Sequence, residues 1–385
     1  MLRKRLKKLF AIPAIILLCF IMQIFYMRYV NESFFYNLIQ TQSPYYEIKN
    51  VNFHKGFLNS KASFTLEDKY NLDLVLKFDL NFNNNYFAKS IAQGKLSNLF
   101  KLLDDKLQNK ALAWFDIQSI QNDINISVQF QDINLSNEGG NALLENALAE
   151  ILLDKEELKI KNIHLKIDQV DFSQFYAKLY LKNLDYKQKF NKPISFAKLI
   201  QLNESTEELK IDFCAINDNT FSSFYSKNTI YLEDDNQTLK MHSQGKANNL
   251  SIDFTSLIYQ NIHFDQVHFD LIWNQKQSDY KFIPHNLSGE EINLQIQNIT
   301  LKKENQDINI KGNILLSKQD NKADIQISSP KSPDEIFTWG QFFGGLNQYF
   351  TKNEESIFIM DLQYDANSKF QLKINGNEFT DMDLN

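Results

Sequence analysis

Alternation of apolar and polar residues with a period of two runs through most of this chain and restricts it to β-rich folds. The clearest case is the segment 70–82, where every second residue is aliphatic or aromatic. Successive side chains of a strand point to opposite faces, so this segment predicts one strand with an apolar face and a mostly polar face. The apolar set is Tyr70, Leu72, Leu74, Leu76, Phe78, Leu80 and Phe82.

Similar alternation predicts many further strands, with Asn, Asp, Gly, Lys and Ser residues typical of turns between them. They cover 46–54, 57–66, 158–168, 172–183, 208–216, 229–242, 248–256, 262–273, 291–301, 307–316, 322–328, 356–364 and 368–374. Strands that follow one another at short spacing favour antiparallel pairing. Between the first two, Lys55-Gly56 predicts a tight turn in which Gly56 adopts a positive φ.

Three segments, 86–112, 140–154 and 332–350, have helical rather than alternating spacing. The second is rich in Ala, Leu and Glu, which favour helix, and the third begins with the candidate cap Ser332 followed by Pro333. The predicted fold is therefore mainly β (α+β). An N-terminal transmembrane helix is followed by an elongated, mostly antiparallel β body with two or three helical insertions.

The transmembrane prediction rests on the uncharged run 9–27, which is just long enough to cross a hydrocarbon core of ~30 Å. No small-residue cleavage site follows the run, and Cys19 lies inside it after Leu18, so both a cleaved signal peptide and a lipoprotein signal are disfavoured. Basic residues are concentrated before the run, which predicts a cytoplasmic N-terminus. These are Arg3, Lys4, Arg5, Lys7 and Lys8, against Arg28 after it. The predicted organisation is 1–8 cytoplasmic, 9–27 anchor, 28–43 stem and 44–385 β-rich body.

The charge balance argues against nucleic acid as a partner. The chain has 41 basic and 47 acidic side chains, and its first 30 residues are basic without any acid, so the body is strongly acidic. Such a surface repels phosphate backbones. The two cysteines exclude a disulfide scaffold, and Cys214, in an apolar strand, is predicted to be a small core residue.

No constellation of catalytic or metal-binding residues stands out. The histidines His54, His164, His242, His263, His268 and His285 form no HExxH pattern, and the sequence has no nucleophile elbow, phosphate loop or dinucleotide fingerprint. The acidic pairs Asp104-Asp105, Glu207-Glu208 and Asp234-Asp235 are typical of solvated turns. We therefore predict no catalytic, cofactor-binding or metal residues, no cofactor and no enzymatic activity.

Two stretches resemble the YdgA-like family of bacterial envelope proteins, a family of unknown function. The first is YYEIKNVNFHKGFLNSKASF at 45–64, after the apolar run, with the family's turn matched at Lys55, Gly56, Phe57 and Ser60. The second is MDLQYDANSKFQLKINGNEF at 360–379, matched at Leu362, Tyr364, Ile374, Asn375 and Gly376. The resemblance implies a single-pass protein of a Gram-negative inner membrane with a periplasmic body, and it brings no catalytic residues.

Two non-catalytic functions fit this sequence, with an enzyme as a third and weaker alternative. The leading one is an envelope protein that acts through a periplasmic binding surface, whose partner is another envelope protein or a lipid. The alternative is a carrier or scaffold for lipids or other amphiphiles, with an apolar groove on the sheet. An open apolar trough along the sheet would favour the carrier, and a sealed core would favour the binding surface.

Overall fold

The computed structural model of the protein describes residues 2–40, 46–69, 75–85, 87–98, 111–137, 140–174, 177–195, 203–233, 238–253, 261–276, 291–317, 321–336, 345–367 and 372–378, with the side chains of the first helix described from residue 18 onward. The chain is mainly β, with one large antiparallel sheet and few helices among these residues. This confirms the mainly β, antiparallel prediction.

The chain divides into two compact units. The first comprises Met1–Asp132, Asn146–Ile163 and Pro193–Ala197, and the second comprises Ile133–Glu145, His164–Lys192 and Lys198–Asn385. Strand β10 (Ile160–Gln174) begins in the first unit and ends in the second.

The first unit combines one long helix with an antiparallel meander. Its elements are α1 (Leu2–Ile39), β1 (Tyr46–His54), β2 (Asn59–Asp68), β3 (Val75–Asn83), β4 (Ser90–Asn98), β5 (Ala111–Ile120), β6 (Asp123–Phe130) and β9 (Leu148–Asp154). Each of β1 to β5 pairs with the next strand, and β6 pairs with β9. The alternating apolar residues of these strands share one face, on which the C-terminal half of α1 lies.

The second unit is almost entirely strand. Its elements are β7 (Ile133–Asn137), β8 (Gly140–Glu145), β11 (Ala177–Ile194), β12 (Ser205–Ile216), β13 (Asn219–Leu232), β14 (Thr238–Asp253), β15 (Asn261–Lys276), β16 (Ile292–Lys303), β17 (Gln306–Leu316), β18 (Lys322–Ser329), α2 (Pro333–Ile336), a 3₁₀ turn (Leu346–Tyr349), β19 (Thr351–Lys352), β20 (Phe358–Asp365), β21 (Leu372–Ile374) and β22 (Asn377–Glu378). From β11 to β18 each strand pairs with its successor. Its core includes Phe264, Val267, Ile308 and Ile336, the last contributed by α2.

The predicted helix at 140–154 is wrong, and the predicted helix at 86–112 is wrong in the part that the structure describes. Residues 140–154 form β8 and β9, because pairing with β7, β10 and β6 outweighs the helix propensity of Ala and Leu. In 86–112, residues 90–98 are strand β4, where Ala92 is 1% exposed on the apolar face. Residues 99–110 lie outside the described part of the chain.

The observed bounds of three other elements differ from the predicted ones. The third predicted helix, 332–350, contains only α2 and the 3₁₀ turn, with 337–344 outside the described residues and Gly345 at φ 94° before the turn. The predicted strand 229–242 is split, since β13 ends at Leu232 and β14 begins at Thr238. The long strand predicted at 70–82 is observed as β3, and 70–74 are not described.

Helix α1 extends through most of the predicted stem, to Ile39. The predicted membrane anchor at 9–27 begins in residues whose side chains are not described. At its end, Ile24 is 1% exposed and the ring of Phe25 lies 6.4 Å from that of Phe57 in the turn between β1 and β2. No helix in the described part of the chain is both long enough and apolar enough to cross a membrane.

Candidate apolar binding groove

The C-terminal half of α1 packs against the apolar face of the first unit's sheet through Phe35. This side chain is fully buried. Its ring centroid lies 5.6 Å from that of Phe53 and 6.2 Å from those of Phe64 and Phe82. Three strands therefore hold one aromatic side chain of the helix, and burial of a Phe of this kind contributes roughly 1.5–3 kcal/mol.

A buried polar cluster fixes the position of α1 along the strands. The Nδ2 of Asn31 donates hydrogen bonds to the carbonyl oxygen of Asn83 (2.9 Å) and to Oδ1 of Asn84 (3.0 Å). Asn84 in turn donates to the carbonyl oxygens of Gly56 and Phe57, both at 3.1 Å. Because an unpaired buried amide costs about 1–3 kcal/mol, sliding the helix along the sheet is disfavoured.

The turn between β1 and β2 is reinforced by an ion pair to the same helix. Lys55 Nζ lies 2.6 Å from Glu32 Oε2. Gly56 does not have a positive φ, so the predicted reason for this glycine is wrong. A Cβ at this position would lie 1.9 Å from the carbonyl oxygen of Asn59, and only glycine allows that close approach.

Beyond the end of α1, the apolar face of the sheet is not covered by other described residues and forms an open groove of about 270 Å³. Its floor consists of Phe64, Leu80, Ile117 and Ile126, each less than a tenth exposed. Its walls are the half-buried side chains of Leu38, Ile39, Tyr46, Ile48, Leu66, Phe78, Phe115, Val128 and Ile151. We call this set the apolar groove.

The register of the strands brings these side chains together. Phe64 and Phe78 are directly opposite on β2 and β3, and their rings stack at 4.5 Å with an interplanar angle of 4°. On β4, Gly94 leaves room for the ring of Phe115, because a Cβ there would lie 2.5 Å from Cε2 of that ring. The long alternating runs of the sequence thus become a continuous aliphatic and aromatic surface.

The chemistry of the groove is almost purely apolar. Among the residues that line it, Tyr46 alone carries a polar side-chain group. Such a surface offers little hydrogen bonding to fix a polar ligand, whereas hydrocarbon gains free energy by leaving water, about 0.8 kcal/mol per methylene. An apolar cavity of 150 Å³ is sufficient for benzene, so about 270 Å³ has room for a larger apolar group.

A second cleft lies beside α1 at the other end of the same strands. It has a volume of about 680 Å³ and a mixed lining that includes Tyr26, Asn37, Ser119, Lys155 and Glu156. Lys155 Nζ donates a hydrogen bond to the hydroxyl oxygen of Ser119 at 2.9 Å. This cleft is lined by both polar and apolar side chains, unlike the apolar groove.

The titratable residues singled out in the sequence are dispersed over the strands. His164 is paired with Asp185 at 2.8 Å and His242 with Asp270 at 2.7 Å, while His285 is outside the described residues. No group of three or more metal-ligating side chains occurs in the ranges that the structure describes.

The acidic pairs do not come together either. Glu207 accepts hydrogen bonds from Gln188 and Asn228 on the two neighbouring strands, which is a structural arrangement. Asp104-Asp105 and Asp234-Asp235 lie outside the described part of the chain. Cys214 is 2% exposed, as predicted for a core residue, and burial raises the pKa of its thiol.

Comparison with known proteins adds no relative. A scan against protein-family models and searches of curated proteins and of solved structures found no match to this chain.

Proposed function

We propose that this protein is a non-catalytic, membrane-anchored envelope protein that binds the hydrocarbon chain of a lipid or other amphiphile in the apolar groove. The observation that carries the proposal is the open, nearly polar-free surface beyond the end of α1. An open trough favours the carrier or scaffold over a protein-binding surface with a sealed core. The polar head of the ligand would remain in water, because the groove gives it little to bind.

The proposed location depends on the sequence. The run 9–27, with its basic flank, supports a single-pass anchor in a bacterial inner membrane with a cytoplasmic N-terminus and a periplasmic body. Membership of the YdgA-like family is proposed on the two matching stretches, 45–64 and 360–379. A reporter that is active only outside the cytoplasm, fused after Asn385, should be active, and an inactive but intact fusion would contradict this location.

Binding is tested by filling the groove. Val128→Trp places a large ring among the groove walls without adding a charge, so it should weaken binding of a fluorescent long-chain fatty acid to the purified full chain by at least about tenfold. Ser127→Trp is the matched control, because the neighbouring side chain points to the opposite face of β6. Equal binding by both variants, or none by the parent chain, would refute the groove as a hydrocarbon site.

A further inference from the structure

Large apolar side chains are exposed at one end of the first unit. The turns between β1 and β2, between β3 and β4, and between β5 and β6 lie at the same end, because the strands pair antiparallel in sequence. Phe57 and Leu58 in the first turn are 52% and 57% exposed, and Phe87 in the second is 82% exposed. Ile120, where β5 meets its turn to β6, is 45% exposed.

Helix α1 reaches the sheet at this same end. The ring of Phe25 lies 6.4 Å from that of Phe57, in an edge-to-face arrangement. Phe25 and Tyr26 are 54% and 61% exposed, so the helix adds apolar surface to that of the turns. We call Phe25, Tyr26, Phe57, Leu58, Phe87 and Ile120 the apolar collar.

We infer that the apolar collar rests in the headgroup and upper acyl region of a phospholipid bilayer, so that the first unit stands directly on the membrane. The inference rests on the proposed anchor, since Phe25 and Tyr26 of the collar are near the end of the apolar run 9–27 in the same helix. Exposed Phe, Leu and Tyr side chains are suited to this interface, where an apolar body is buried and a polar tip stays wet.

Charged side chains of both signs lie in the turns around the collar. Lys89 is exposed in the turn between β3 and β4. Lys55 is paired with Glu32 of α1, and Lys155 lies in the turn after β9 beside the exposed Glu156 and Glu157. Amines at this level can contact lipid phosphates while the neighbouring apolar side chains enter the acyl boundary.

The collar and the apolar groove are separate surfaces of one unit. The helix spans the distance between them from Phe25 to Leu38, which corresponds to ~20 Å at 1.5 Å per residue. A collar seated in the bilayer would therefore hold the groove up to about 20 Å away from it, on the water side. The depth of the collar turns in the bilayer can therefore be measured without any ligand in the groove.

The test uses the full chain in phospholipid nanodiscs that contain phosphatidylcholine brominated on its acyl chains. Tryptophan is introduced by Phe57→Trp or Phe87→Trp, both conservative changes at exposed sites, and the fluorescence of the parent chain with Trp114, Trp273 and Trp339 is subtracted. The added fluorescence should fall by at least half relative to nanodiscs without bromine. Gln129→Trp, at the exposed opposite end of β6, is the control and should lose little.

Two results would overturn the inference, and they are distinguishable. A chain that incorporates into nanodiscs but shows no more quenching at positions 57 and 87 than at 129 has an anchor without a docked collar. A chain that does not incorporate at all contradicts both the proposed anchor and the collar that depends on it.

Discussion

At the scale of single residues, Gly56 shows how a correct position can be predicted for the wrong reason. The Lys55-Gly56 pair predicts a turn between β1 and β2, and the turn is present. Its glycine is required by the approach of the Asn59 carbonyl oxygen and not by a left-handed backbone. Sequence alone indicates that glycine is needed but does not distinguish these two causes.

The two causes make different predictions for asparagine, which tolerates positive φ but has a Cβ. Gly56→Asn should destabilise the protein by about 1–3 kcal/mol, as overpacking does, measured by urea unfolding. Gly376→Asn is the control, since Gly376 has φ 79° and open space around a Cβ, and it should stay within about 0.5 kcal/mol of the parent. A well-tolerated Gly56→Asn would contradict the steric account.

At the scale of elements, an ion-pair cluster joins the last strands of the first unit. Lys161 Nζ on β10 lies 2.7 Å from Asp123 Oδ1 at the start of β6 and 2.9 Å from Asp154 Oδ2 at the end of β9. The hydrogen bond from Lys161 is the main cause that lowers the pKa of Asp154 to about 2, and the backbone amides of Glu157 and Glu156 add to it.

This cluster predicts a pH dependence whose sign is fixed. Because the pKa of Asp154 is lower in the folded state than in the unfolded chain, its stabilising effect is complete above the unfolded value near 3.8 and is lost as the pH falls toward 2. Asp154→Asn should lower the urea midpoint at pH 7 and weaken its pH dependence between about 4 and 2. Glu157→Gln is the exposed control and should leave that pH dependence unchanged.

The two leucines of strand β3 lie on the same face but differ in burial, so they should respond differently. Leu80 is 6% exposed, and Leu80→Ala should cost about 2–5 kcal/mol through the cavity that it leaves. Leu76 lies on the same face but is half-buried, and Leu76→Ala should cost about 1 kcal/mol. Equal losses in urea unfolding would indicate that the whole face is sealed core.

The strands were more predictable than the helices, for a physical reason. Alternation reports directly which face of a strand is buried, and most of the predicted strands are observed. The helix propensity of residues 140–154 is a weaker local signal. The backbone hydrogen bonds that this segment forms with β6, β7 and β10 outweigh it. Pairing partners distant in sequence are not visible in a local pattern.

At the scale of the whole molecule, the alternating pattern predicts an apolar sheet face but not what covers it. Phe35 and Asn31 carry no pattern that marks them as sheet contacts, yet they determine that α1 covers one part of the face and leaves the rest open. The groove therefore follows from where the helix ends, at Ile39, rather than from any motif. This sheet face contains both alternatives that the sequence leaves open, a packed core under α1 and an open groove beyond it.

The most direct measurement of the central claim is photochemical labelling of the purified full chain with a long-chain fatty acid that carries a diazirine on its acyl chain, followed by peptide mapping. Hydrocarbon bound in the groove predicts labelling concentrated on β1, β2, β3, β5 and β6, at or beside Ile48, Leu66, Phe78, Phe115 and Val128. An excess of unlabelled fatty acid should remove this labelling from the parent chain. The Val128→Trp variant should not be labelled at these peptides. Labelling that is spread over the surface, or that persists in Val128→Trp at the same peptides, would contradict the account.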